Sequence, residues 1–187
     1  GVITSWTIHP TLPTGLSFST SNGTITGTPI ELLTLTMFTV NGTNTGVSSM
    51  AYINITVNAV TPVLSYTPDS LVLTNNSAMT TLSSTTPGED IVSWSIDPAL
   101  SSGLTFNTAN GEISGIPDAL SVLTVYTISA TNTGGTVTAT VNITVNAVTP
   151  VLSYTPDSLV LTNNSAMNAL SPTTSGGDIV TWSIDPA

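Results

Sequence analysis

Apolar and polar residues alternate with a period of two over the clearest stretch of this chain. From Thr136 to Val145 every second residue is Val, Ala or Ile, and each of the others is Thr or Asn. That is the pattern of a strand with one buried face. Val92, Trp94 and Ile96 alternate with Ser93, Ser95 and Asp97, and Tyr126, Ile128 and Ala130 alternate with Thr127 and Ser129. Shorter strands are expected at 63–66, 69–74, 79–82, 104–106 and 112–114. Residues that break regular structure lie between them: Pro68-Asp69, Thr86-Pro87-Gly88, Pro98 to Gly103, Asn110-Gly111, Gly115 to Pro117 and Gly134-Gly135. Asn-Gly favours the positive-φ turns that close tight hairpins. Helix signals are absent.

The pattern returns every 88 residues. Trp6, Trp94 and Trp182 keep that spacing, as do Pro62 and Pro150, Tyr66 and Tyr154, and Asp69 and Asp157. Residues 59–99 and 147–187 align without a gap over 41 positions and differ at six: Thr80/Asn168, Thr81/Ala169, Ser84/Pro172, Pro87/Ser175, Glu89/Gly177 and Ser93/Thr181. The chain therefore reads as the later part of one repeat (1–58), a complete repeat (59–146) and the earlier part of the next (147–187). About seven short strands in 88 residues, with turns every 8–12, predict an all-β chain of tandem immunoglobulin-like sandwiches. Trp94, in phase with Val92 and Ile96, is expected between the two sheets, where a large ring buries about 150–250 Å².

Composition narrows the chemistry. The 187 residues include no Lys, no Arg and no Cys, against ten acids and one His, for a net charge of −10. Without cations there is no phosphate clamp, nucleic-acid stripe, Schiff-base lysine or lysine–asparagine crosslink. A nucleic-acid partner or an anionic membrane surface is not expected, on the same ground. Without cysteine there is no disulfide, thiolate nucleophile or zinc–sulfur site. Threonine (37) and serine (24) make up about a third of the chain, which suits half-exposed pleated surfaces and makes poor helix interiors. No stretch approaches the roughly 20 apolar residues of a membrane span.

The segment Trp94-Ser-Ile96-Asp-Pro98-Ala-Leu100-Ser-Ser-Gly103-Leu104-Thr-Phe106, followed by Asn110-Gly111-Glu-Ile113-Ser-Gly115-Ile-Pro117, resembles the putative-Ig repeats of bacterial and archaeal surface proteins, relatives of the dystroglycan-type cadherin-like domains. The resemblance continues through Tyr126 to Gly135 and Val141 to Val145. Residues 1–58 repeat it with Trp6, Pro10, Gly15, Leu16, Phe18, Gly23, Ile25, Gly27 and Pro29, departing at Phe38 for the tyrosine and at Val47 for the second glycine. It implies tandem seven-stranded sandwiches in long secreted proteins of stalks, adhesins or surface layers, and no catalytic residue.

Some cadherin-like relatives bind calcium between domains, so the acids need weighing. Calcium takes six to eight oxygens, usually with several carboxylates. The complete repeat holds Asp69, Glu89, Asp90, Asp97, Glu112 and Asp118, with no acid in the junction Asn146-Ala147-Val148-Thr149-Pro150. Asp69, Asp97 and Asp118, assigned to loops, are the calcium candidates, and solvated turn residues are the competing reading. No cofactor is otherwise expected. No carboxylate pair suggests glycoside hydrolysis, and His9 occupies the position of Asp97, so no His-dependent mechanism can repeat. The chain is not expected to be an enzyme. Sequons at Asn22, Asn41, Asn54, Asn75, Asn142 and Asn163 are candidate N-glycosylation sites, with Asn54 and Asn142 assigned to the polar face of the last strand.

The expected function is an extracellular, cell-surface repeat array forming a stalk, fibre or matrix element. Its partners are neighbouring repeats and, in a filament, other copies of the chain. The junction is stiff because proline fixes φ and β-branched neighbours favour extended chain. The alternative is an adhesin module that recognises carbohydrate or protein through loops 97–103 and 107–111. A third arrangement follows from the order of the parts: fragments 1–58 and 147–187 are complementary pieces of one sandwich, so strand exchange between copies is open.

Overall fold

The computed structural model describes residues 2–86 and 90–185. The expected turn at Pro87-Gly88 and the acid Glu89 lie outside them. The described residues are all strand, turn and coil. They fall into two compact bodies: residues 2–63 with 90–92 and 131–137, and residues 64–86, 93–130 and 138–185.

The first body is built on β1 (Ser5–His9), β2 (Leu16–Phe18), β3 (Ile25–Gly27), β4 (Leu33–Thr43) and β5 (Ser48–Val57). β1, β4 and β5 form a sheet in that order, and β2 pairs with β3 in a separate hairpin. β1 runs antiparallel to β4 from Ser5 opposite Thr43 to His9 opposite Thr39. Phe38, where the repeat pattern has tyrosine, is 1% exposed, so the ring and not the hydroxyl is what packing needs there.

The complete sandwich expected at 59–146 contains β6 (Ser65–Tyr66), β7 (Ser70–Thr74), β8 (Ser84–Thr85), β9 (Ser93–Asp97), β10 (Leu104–Phe106), β11 (Ile113–Gly115), β12 (Ser121–Asn132) and β13 (Gly135–Asn146), of which the β12–β13 turn is grouped with the first body. One layer is the sheet β7-β13-β12-β9. Opposite it are the pairs β6-β8 and β10-β11, joined by an isolated bridge between Leu82 and Ile113. Alternation works as the sequence implies: Tyr126, Ile128, Ala130, Val141, Ile143 and Val145 point inward from β12 and β13, none more than 2% exposed. Leu64, Tyr66, Leu82, Leu104 and Ile113 are buried from the other layer, and Trp94 is 8% exposed. The chain ends in β14 (Pro150–Tyr154) and β15 (Pro172–Gly176), paired antiparallel.

Three local expectations change. Residues 79–82 form no strand beyond the Leu82 bridge, and the short β8 follows at Ser84 instead. Val92 is 73% exposed, not in phase with Trp94: β9 begins only at Ser93, so the alternation that orients Trp94 and Ile96 has not begun at Val92. Asp97, assigned to a loop, is the last residue of strand β9, as His9 is of β1. Each precedes a cis proline, as do Thr67 and Thr155.

Candidate functional site

The proposed calcium ligands are exposed and are not gathered. Asp69 precedes β7, and its carbonyl accepts the N–H of Asn142 at 2.8 Å. Asp97 ends β9, while Asp118 follows the hairpin β10-β11 and donates its N–H to Ser102 O at 3.2 Å. Among the described residues no group of three or more His, Asp or Glu side chains converges. Glu112 and Glu31 have individual roles: Ser83 Oγ donates to Glu112 Oε1 at 3.1 Å and Thr14 N–H to Glu31 Oε2 at 3.3 Å.

The two loops of the adhesin alternative are tied into the sandwich. In 107–111, Asn107 Oδ1 accepts from Ala109 N–H, Asn107 O accepts from Gly111 N–H, and Asn110 Oδ1 accepts from Glu112 N–H, at 2.9, 2.8 and 3.2 Å. Asparagine suits these positions because its short amide bonds backbone two residues on. In 97–103, Ser101 Oγ lies 3.3 Å from Tyr126 OH, and Gly103 O accepts the N–H of Ile116. The sequons differ in setting. Asn22, Asn54 and Asn163 are exposed, and Asn41, Asn75 and Asn142 are half-buried. The Oδ1 atoms of Asn41 and Asn75 are enclosed without a hydrogen-bond partner. Asn22 Oδ1 accepts from both the N–H and the hydroxyl of Thr24.

One buried polar contact joins Tyr66, which the sequence marks as a repeat position, to the Asn110-Gly111 turn. Tyr66 is 5% exposed and donates its hydroxyl to Gly111 O at 2.6 Å. Burial pushes its phenol up to about 12, against a smaller downward effect of Ser84. Gly111 has φ +74° and lies against the ring of Trp94, so a Cβ there would stand 2.4 Å from Cζ3. A phenol, a left-handed glycine and an indole thus lock the centre of the core.

A second constellation holds residues 59–61 to the β12–β13 turn. Asn132 is 6% exposed. Its Nδ2 donates to Val60 O at 2.8 Å, while its Oδ1 accepts from Gly134 N–H at 2.8 Å and Gly135 N–H at 3.2 Å. Ala59 N–H donates to Thr133 Oγ1 at 2.9 Å, and Thr61 Oγ1 donates to Gly134 O at 3.1 Å. Gly134 is required by close approach, since a Cβ would stand 2.0 Å from Ala59 O. The equivalent turn of the first body keeps its internal bonds although Val47 replaces the second glycine: Asn44 Oδ1 accepts from Gly46 N–H at 2.8 Å and Val47 N–H at 3.0 Å. The recurrence of Asn-Thr-Gly at 44–46 and 132–134 was the available signal for this clasp. The apolar groove beside it, lined by Leu32, Leu35, Val57 and Thr133 among others, carries no acid.

The arrangement offers tightly bonded turns and acids that, Glu112 apart, are exposed, and no group of three or more of His, Asp and Glu converges among the described residues. Residues 1–58 and 61–146 match the family described as Putative Ig domain. Among solved structures the chain is similar to extracellular domains 3-5 of Drosophila OTK, at 16% identity and TM-score 0.43, over 75% of this chain and 50% of that one. It therefore spans half the length of that structure. It is also similar to human Protocadherin-24 EC1-2, at 15% identity and TM-score 0.38, over 76% of this chain and 81% of that one. A mutated three-Ig segment of titin aligns over 92% of this chain and 76% of its own length, at 13% identity and TM-score 0.42. No curated protein matches the sequence.

Proposed function

Since this chain belongs to the Putative Ig domain family, we propose that it is part of a non-enzymatic extracellular repeat array, acting as a stalk, fibre or surface-matrix element. The observation that carries the proposal is the clasp on residues 59–61. The segment that leads into the complete sandwich is held through Ala59 N–H, Val60 O and Thr61 Oγ1, where a flexible tether would leave these groups to water. Loops 97–103 and 107–111 engage their polar groups internally, which favours a spacer over an adhesin module. No helix among the described residues is long and apolar enough to cross a membrane. Domain limits at 1–58, 59–146 and 147–187 belong to the same proposal.

Electron microscopy of the native material tests it. Strands of about seven residues are roughly 25 Å long, so with loops each repeat should advance about 40 Å. Beaded threads with that axial period are expected. Particles without an axial period would overturn the reading.

A further inference from the structure

The outward face of the sheet β1-β4-β5 differs in kind from its counterpart in the complete sandwich. Phe38 and Gly42 of β4 are buried, so Met37, Thr39 and Asn41, in alternation with them, point the other way. The register places His9, Thr39 and Tyr52 in one row across the three strands, with Asn41 opposite Met50 in the next. One repeat later that row reads Asp97, Thr127 and Thr140, while Thr138 stands for Met50 and Val125 for Met37. The inward positions hold: Trp6, Ile8, Ile55 and Val57 recur as Trp94, Ile96, Ile143 and Val145. Folding therefore accepts hydroxyls at two of these outward positions, yet the first body sets Met37, Met50 and Tyr52 on the face, 58%, 61% and 65% exposed. The same positions open to solvent in the complete sandwich: Thr138 and Thr140 are exposed there, since β7 pairs with β13 only from Asn142 onward. A tyrosine with a methionine beside it on the strand and another on the diagonal has the composition of a contact surface.

We propose that this face binds a neutral, flat glycan of equatorially linked hexoses, with Tyr52 as the stacking platform. Charge and area select that occupant. β1, β4 and β5 contain no carboxylate, and their only titratable side chains are His9 and Tyr52. The face thus offers a cationic partner nothing to pair with, and the net charge of −10 repels an anionic one. From Met37 to Asn41 across three strands the patch covers roughly 200 Å². A stable protein interface buries about 800 Å² per partner, so the patch is too small for a second copy. It suits a short run of sugar rings. The axial C–H groups of such a chain form an apolar face for Tyr52 and the methionines, and its equatorial hydroxyls project sideways to polar neighbours. His9 and Thr39 continue the row from Tyr52. Asn41 Oδ1 is enclosed without a hydrogen-bond partner, an acceptor that a sugar hydroxyl satisfies once the flexible Met50 opposite it turns aside. The site lies on a sheet face and not on the loops, and its failure leaves the array reading intact, because that reading rests on the clasp at 59–61.

NMR titration of the isotopically labelled 187-residue chain with cellohexaose tests it. Saturable amide shifts confined to residues 37–41, 50–54 and 9 are expected, with a Kd of about 1 mM in a titration carried to about 10 mM. Tyr52→Thr installs the residue that the complete sandwich carries at this position, and it should weaken binding at least ~10-fold. The wild-type map does not depend on how that variant folds. Absence of shifts at the highest sugar concentration, shifts centred on loops 97–103 or 107–111, or an affinity that Tyr52→Thr leaves unchanged would overturn the proposal. So would shifts of the same amides on raising the protein concentration without sugar, which would make a second copy the occupant.

Discussion

Trp94, Gly111 and Tyr66 show how a few side chains carry much of the core. The indole lies on a glycine that no other residue can replace cheaply, because φ is +74° and the ring already fills the Cβ position. Gly111→Ala should cost about 2–4 kcal/mol, combining a left-handed alanine with overpacking. Gly46→Ala, whose Cβ would meet only one atom at 3.7 Å, should stay within about 0.5 kcal/mol. Urea denaturation of the two variants measures the contrast. Tyr66→Phe should cost about 1–2 kcal/mol near neutral pH by leaving Gly111 O without its donor. The phenol also sets a pH dependence. Its folded pKa is raised from 10 to about 12, so its stabilisation is full below pH 10 and is lost as pH rises toward 12. A chain carrying Tyr66→Phe should lose that part of the alkaline slope, as thermal melts across pH 9–12 would reveal. Tyr66 was visible in the sequence only as a repeated residue. Its role depends on Gly111, 45 positions away, and no local pattern encodes that pair.

Among the elements, β12, β13, β10 and β11 were the most legible, since each follows a clean alternation or lies between strong turn residues. β7 was expected from 69–74, but its identical copy at 158–162, Ser-Leu-Val-Leu-Thr, carries no strand. The same contrast separates Ser93–Asp97 from Thr181–Asp185, and leaves Trp182 56% exposed where Trp94 is 8%. Alternation makes these segments competent to be strands, and a paired neighbour makes them strands. The clasp on 59–61 likewise depends on one amide. Asn132→Ala would remove the donor to Val60 O and leave Gly134 and Gly135 N–H without their acceptor. A loss of about 2 kcal/mol is expected, with faster hydrogen exchange at Ala59. An unchanged Ala59 amide would show that the amide side chain does not hold the segment.

At the scale of the whole molecule, ten acids without a single lysine or arginine leave repulsion unopposed by any fixed cation. Salt should therefore stabilise: from about 0.01 M to 1 M the Debye length falls from about 30 Å to 3 Å, and the melting temperature should rise, as calorimetry would record. A fall on adding salt would mean that attractive charge contacts dominate. By itself the sequence determined the all-β class, the 88-residue period, turns such as those at Asn110-Gly111 and Gly134-Gly135, and the chemistry excluded by the missing cations and cysteine, because each follows from residue type or short-range spacing. Only the tertiary structure decided that β7 pairs in parallel with β13, that Tyr66 reaches Gly111, that Asn132 holds Val60, and that Val92 faces out. Those outcomes join residues 45 to 72 positions apart or depend on where a strand begins. Two nearly identical segments of one chain adopt different structures for the same physical reason: the hydrogen bonds that define a strand belong to the pair and not to the segment.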